Sequence, residues 1–252
     1  MFKVDLLNVM KFDTRDEMGM RAAEAIVSKI KEVLKEKNEC RMIFAAAPSQ
    51  KDMMRYLRQS DVDWGRIVVF HLDEYIGLPD NAKQSFVYYL REELFDKVPF
   101  KRVNLLTVSE STIENDIANY EKLLIEAPID IICLGVGENG HIAFNDPHVA
   151  DFNDPKLVKI VELDQVCRQQ QVNDGCFQNI DLVPQKAVTL TIPALMNGKY
   201  LFCVVPNTNK AKAVKAMLEN DISTACPASI LRRHNNCILF VDKNSFSLIQ
   251  KE

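Results

Sequence analysis

Two short segments carry side chains whose types and spacing suit proton chemistry. The first is His71-Leu72-Asp73-Glu74-Tyr75, where two adjacent carboxylates follow directly on the apolar run Ile67-Val68-Val69-Phe70. Paired carboxylates at a strand end are the kind of group used in general acid/base work. The same step also suits a helix N-terminus, where acids complement exposed N–H groups. Composition leaves both readings open. The second segment is Gly135-Val136-Gly137-Glu138-Asn139-Gly140-His141, with Asp146 five residues past the histidine. A lone histidine is more often structural than chemical. A nearby carboxylate changes this, because it fixes the tautomer and raises the basicity of the ring.

Gly135 to Gly140 formally matches GxGxxG. A dinucleotide site needs that loop to open a helix, with an acid about 20 residues on. Here it runs into His141-Ile142-Ala143-Phe144-Asn145-Asp146-Pro147, and Asn-Asp-Pro breaks a helix. Gly137 and Gly140 are better read as letting backbone approach a small ligand. No cofactor is implied. The four histidines and seven cysteines show no metal-ligand spacing, which argues against zinc.

The elements that must hold these groups follow from periodicity. Thr14-Arg15-Asp16-Glu17 has the form of a capping box. Ala22, Ala23, Ile26, Ile30, Val33 and Leu34 then recur at helical spacing up to Lys35-Glu36-Lys37. Strands are expected at Met42–Ala47, Ile67–Phe70, Ile129–Leu134, Val188–Thr191, Leu201–Val205 and Cys237–Val241. Helices are expected after Gln50, over 83–96 and from Lys210. Continuous apolar runs mark strands buried on both faces. Their alternation with helices predicts one doubly wound α/β domain with a mostly parallel sheet. Ligands in such sheets bind beyond the strand carboxyl ends. The loops Ala45–Gln50, His71–Glu74, Gly135–Asp146 and Asn207–Lys210 all start there. The polar stretch 151–181 is expected to be a mobile lid.

Bulk properties narrow the class. The chain has 252 residues, 47% hydrophobic and 26% charged, a globular balance. A net charge of -4 predicts no nucleic-acid partner. Arg232-Arg233, in the main basic cluster, read as a solvated helix end. Cys133, Cys203 and Cys237 lie in apolar runs and act as small hydrophobes. No apolar stretch approaches the roughly 20 residues of a membrane span. A cytoplasmic location and no membrane partner are expected.

Leu72-Asp73-Glu74-Tyr75-Ile76-Gly77-Leu78-Pro79 and Gly135 to Pro147 resemble the two signatures of glucosamine-6-phosphate deaminase/isomerases. Gln84-Ser85-Phe86, Val183-Pro184 before Ala187 to Thr191, and Asn209-Lys210-Ala211 extend the likeness in order across most of the chain. The resemblance implies a Rossmann-like fold and a metal-free aldose–ketose isomerisation of a phosphosugar, with loss of ammonia. Asp73 matches the proton-shuttling carboxylate that works between C2 and C1 through an enolamine. His141 matches the ring-opening histidine, Asp146 the acid that orients it, and Lys210 a phosphate-binding lysine. Ser49, Gln50, Glu74, Gly137 and Gly140 fall at substrate-contacting positions, and Arg168 in the region of a lid arginine. The family includes monomers and oligomers, which leaves a homo-oligomer open.

Some positions depart from the family pattern. Ala46-Ala47-Pro48-Ser49-Gln50 replaces a loop close to Thr-Gly-Ser-Thr-Pro, and Pro48 offers no N–H. Asn139 stands for an aspartate beside the histidine, a change expected to make the imidazolium less stable. Asp146 is one methylene shorter than the usual glutamate. These departures keep two other readings open: an isomerase or 6-phosphogluconolactonase-like hydrolase of another phosphosugar, and a non-catalytic sugar-phosphate sensor. Tyr75 and Ala143-Phe144-Asn145 favour the deaminase branch over the lactonases.

Overall fold

The computed structural model describes residues 1–79, 82–109 and 111–249. Its strands are β1 (Phe2–Val4), β2 (Leu7–Phe12), β3 (Cys40–Phe44), β4 (Ile67–His71), β5 (Asp73–Tyr75), β6 (Arg102–Val103), β7 (Ile131–Leu134), β8 (Val158–Glu162), β9 (Lys186–Leu190), β10 (Tyr200–Val205) and β11 (Cys237–Asp242). Its helices are α1 (Arg15–Glu36), α2 (Lys51–Arg58), α3 (Phe86–Leu90), α4 (Ile113–Ile125), α5 (Gln165–Asn173), α6 (Ile192–Met196) and α7 (Ala211–Glu219).

Eight strands form the main sheet in the order β1-β2-β11-β10-β7-β3-β4-β6. All neighbours from β2 to β6 run parallel, and only β1 returns antiparallel. Every residue of β3, β4 and β7 is buried, as two-sided helix cover requires. Alternate residues serve opposite cores. Ile43, Val68, Ile132 and Cys203 pack with Tyr120 and Leu124 of α4 and Val214 of α7. Met42, Val69, Ile131 and Val204 pack with Met18, Ile26 and Ile30 of α1 and Leu57 of α2. The expected single α/β domain with a mostly parallel sheet is what forms.

Several boundaries differ from the sequence reading. Ala45–Ala47 leave the strand, because their backbone turns toward the 3-10 turn at Pro48–Gln50. The run around Val188 joins a separate three-stranded antiparallel sheet, β5-β9-β8. A short apolar run looks alike in either sheet. Asp73–Tyr75 is the edge strand of that second sheet, not a helix start. The polar stretch 151–181 contributes β8 and α5 to the body of the protein. The expected helix over 83–96 is α3 running into a π-helical turn at Arg91–Phe95. Arg232 is not simply solvated: its guanidinium pairs with Asp5 at 2.7–2.8 Å. Thr14 caps α1 as expected, accepting the Glu17 N–H at 3.1 Å.

Gly19 lets α1 and α2 approach closely. A Cβ there would stand 2.6 Å from the Asp52 Cβ and 3.1 Å from its backbone carbon. Gly19→Ala gains about 1 kcal/mol of helix propensity. The overpacking it creates costs ~1–3 kcal/mol. A net fall in the urea midpoint, with the slope unchanged, is the expected outcome of equilibrium unfolding.

Candidate active site

A cleft opens where β3, β4, β7 and β10 end. Ser49, Asp73, Gly137, His141, Asn207 and Lys210 line it, so all four predicted loops contribute.

Asp73 reaches the cleft because the chain leaves the main sheet at His71 and enters the second at Asp73. His71 is fully buried and holds that bend. Leu106 N–H donates to its Nε2 at 2.8 Å, so Nδ1 carries the proton and donates to the Asp73 carbonyl at 2.9 Å. Burial lowers the His71 pKa to about 4, which keeps the ring neutral. The Asp73 carboxyl is itself only 6% exposed. Burial, and then the adjacent Glu74 charge, raise its pKa well above the usual carboxylate range.

Glu74 points away from the cleft. Its carboxylate accepts the N–H groups of Tyr75, Phe86 and Val87 at 2.9–3.0 Å. It therefore satisfies the open N-terminus of α3, twelve residues on, which corrects the expectation of substrate contact. Burial pushes its pKa to about 7 against those three bonds. Beneath both acids, Tyr75, Phe86 and Phe144 pack with ring centroids 4.8–5.3 Å apart and join the two signature segments.

The histidine loop is tied by buried polar groups. His141 Nδ1 stands 2.9 Å from Asp146 Oδ1, in an angled contact, and has no other protein partner. Burial opposes ionisation of Asp146. Contacts with His141, Asn139 and the Asp164 N–H outweigh it and hold the pKa at about 2. Asn139 makes no hydrogen bond to the imidazole. Its amide N–H groups bridge Asp146 and Asp164 at 2.9 Å each, and its Oδ1 accepts the His141 backbone N–H. Asp164 in turn caps α5 through the Cys167 N–H. Gly137 faces the ring so closely that a Cβ would fall 2.1 Å from His141 Cε1. Gly140 has φ +84° and packs on Cys226, so its role is local geometry rather than ligand contact.

Ser49 and Lys210 stand at the starts of α2 and α7, whose N-termini lack side-chain caps. Open helix N-termini favour anions. Lys210 is 4% exposed, and burial lowers its pKa against the opposing pull of Asp174 and Glu138. Gln50 is fully buried, its Nε2 donating to Ser49 Oγ and the Val204 carbonyl at 3.0 Å. It anchors the loop and does not line the cleft. Arg168 also falls elsewhere: its guanidinium is spent on the Ile180 and Val183 carbonyls at 2.7–3.3 Å. A residue reading misses Gln170, Gln171 and Asp174 of the α5 region, which line the cleft instead. No local pattern signals Gln170, Gln171 or Asp174, since only packing turns them inward. Asn207, which opens the predicted fourth loop, is strained at φ 77° and ψ 154° and held by its N–H to Asp242.

Residues 13–240 match the model of the family described as glucosamine-6-phosphate isomerases/6-phosphogluconolactonase. The chain belongs to this family. It is 36% identical over 242 residues to glucosamine-6-phosphate deaminases of Bacillus thuringiensis (strain Al Hakam) and Bacillus cereus (strain B4264), covering 96% of this chain and 89% of theirs. Among solved structures, a monomeric glucosamine-6-phosphate deaminase superposes with a TM-score of 0.86 at 28% identity, over 96% of this chain and 99% of that one. A 6-phosphogluconolactonase from Thermotoga maritima shares the fold, with a TM-score of 0.75 at 22% identity over 94% and 100% of the two chains. No helix among the described residues is long and apolar enough to cross a membrane.

Asn139 thus places an amide between two carboxylates. Asn139→Asp would place three acids within hydrogen-bond reach. The expected loss at neutral pH is ~1–3 kcal/mol. The new charge is disfavoured in the folded state, so the loss shrinks as pH falls through its raised folded pKa. Thermal unfolding of both proteins across pH 5–8 checks this.

Proposed function

We propose that the protein converts glucosamine 6-phosphate and water to fructose 6-phosphate and ammonia. The observation that carries the reading is one cleft holding a buried, base-type carboxyl, an acid-paired imidazole, and two helix starts bearing Ser49 and Lys210. The deaminase relatives support the choice of substrate.

In this reading the phosphate sits against Ser49 and Lys210. His141, oriented by Asp146, exchanges a proton with the ring oxygen as the sugar opens. Ionised Asp73 then removes the C2 proton and returns it to C1 through an enolamine. The product carries C=N at C2. Water adds there, and the C–N bond breaks as ammonia leaves. Residues 151–181, with Gln170 and Gln171 on the cleft, form the cover that limits water access.

Ammonia and fructose 6-phosphate should both appear from glucosamine 6-phosphate in a coupled assay. Asp73→Asn should lower kcat by about 10²–10⁴. Hydrolysis of 6-phosphogluconolactone above its spontaneous rate, with no ammonia from any hexosamine phosphate, would move the assignment to the lactonases.

Asp73 works only when ionised, and its folded pKa is raised. Activity is therefore complete above that pKa and falls as pH drops through it. The acid limb of kcat/KM should lie above the ordinary aspartate value of about 4. An acid limb at or below that value would argue against Asp73 as the base.

A further inference from the structure

His141, Asp146 and Cys167 form a group that the proton chemistry leaves partly unexplained. Nδ1, a carboxylate oxygen and Sγ all lie within 4.8 Å of one another, and all three residues are buried. Cys167 does not line the cleft and takes no part in the reaction proposed above. It comes from α5, 26 positions beyond the histidine, so no spacing rule finds it.

Two observations point to a metal ion. The donor set, an imidazole nitrogen, a carboxylate and a thiol, is one that selects zinc and related ions. In tetrahedral zinc sites, bonds of about 2.0–2.3 Å set the donors about 3.3–3.5 Å apart. The present spread needs only small side-chain shifts to close. Second, His141 is 8% exposed, and its Nδ1 makes no well-formed hydrogen bond. An ion can enter through the cleft, which His141 lines.

We propose that His141, Asp146 and Cys167 form an inhibitory site for Zn²⁺ or a similar transition-metal ion. Binding gives Nδ1 to the metal, takes Asp146 from its orienting role, and ties α5 to the histidine loop. The imidazole then no longer completes its proton cycle. The inhibition rests on the deaminase reading, whereas the binding does not. Asp146, His148 and Asp164 form a neighbouring group without a thiol, so Cys167 separates the two sites.

The test titrates the intact protein, freed of metal with EDTA, with Co²⁺ and Zn²⁺. One equivalent of Co²⁺ should give tetrahedral visible bands and a thiolate-to-cobalt charge-transfer band in the near ultraviolet. Zn²⁺ should bleach both bands and inhibit ammonia release, and EDTA should restore activity. Cys167→Ala should keep the basal activity, lose the charge-transfer band and weaken inhibition by about tenfold or more. Cys167→Ser, which keeps the volume, serves if the alanine variant does not fold. No charge-transfer band, or a band and inhibition that persist without Cys167, would overturn the site. A protein with the band but no deaminase activity would overturn the functional reading and support the site.

Discussion

One residue, Leu72, is hydrogen-bonded to both sheets. Its N–H donates to the Phe44 carbonyl at 3.2 Å in the main sheet. Its carbonyl accepts the Leu190 N–H at 2.9 Å in the second. The cleft lies along this seam, and β9 serves as the rail for both signature segments. Asp73 pairs in register with Thr189. Thr189 Oγ1 accepts the Phe144 N–H, and the Leu190 carbonyl accepts Asn145 Nδ2. Asp73 and the histidine loop are therefore referenced to the same two residues. Positioning by backbone hydrogen bonds of a sheet is stiffer than positioning by loop packing.

The seam also holds two aspartates in opposite states. Asp146 is fully buried yet easily ionised, because donors surround it. Asp73 is nearly as buried but faces an acid neighbour and few donors, so its charge is costly. Environments that push two acids apart in this way separate their roles. The readily ionised acid suits a fixed orienting charge. The other suits a base that gains and loses a proton at the working pH.

The departures from the family pattern make physical sense together. Asn139 supplies the donors that let Asp146 and Asp164 sit close, and Asp164 caps α5. The histidine loop and α5 are thus one polar unit. The altered loop at Ala46–Gln50 is held from behind: Arg15 donates to the Pro48 carbonyl at 2.5 Å, and Tyr89 to the Ala47 carbonyl at 2.9 Å. Arg15 also pairs with Asp52 on α2. Contacts from distant segments thus fix this loop.

Much of the fold was legible in the sequence. The inner strands and α1 came from apolar runs and helical spacing, because burial on both faces leaves a local signature. The four convergent loops followed, since parallel strands end on one edge. Asp73, His141, Ser49 and Lys210 were legible for that reason. The second sheet was not, because a five-residue apolar strand does not encode its partner. Nor were the fates of Glu74, Gln50 and Arg168. Each carries a polar group that suits a ligand, and each is spent on backbone N–H or carbonyl groups brought up by distant segments. The meeting of Cys167 with His141 and Asp146 is of the same kind. Sequence by itself determined the layered α/β architecture and which residue types could do chemistry, because periodicity and strand-end position are local. Only the tertiary structure decided which polar groups face the cleft and which satisfy buried backbone, because that depends on contacts between segments far apart in the chain.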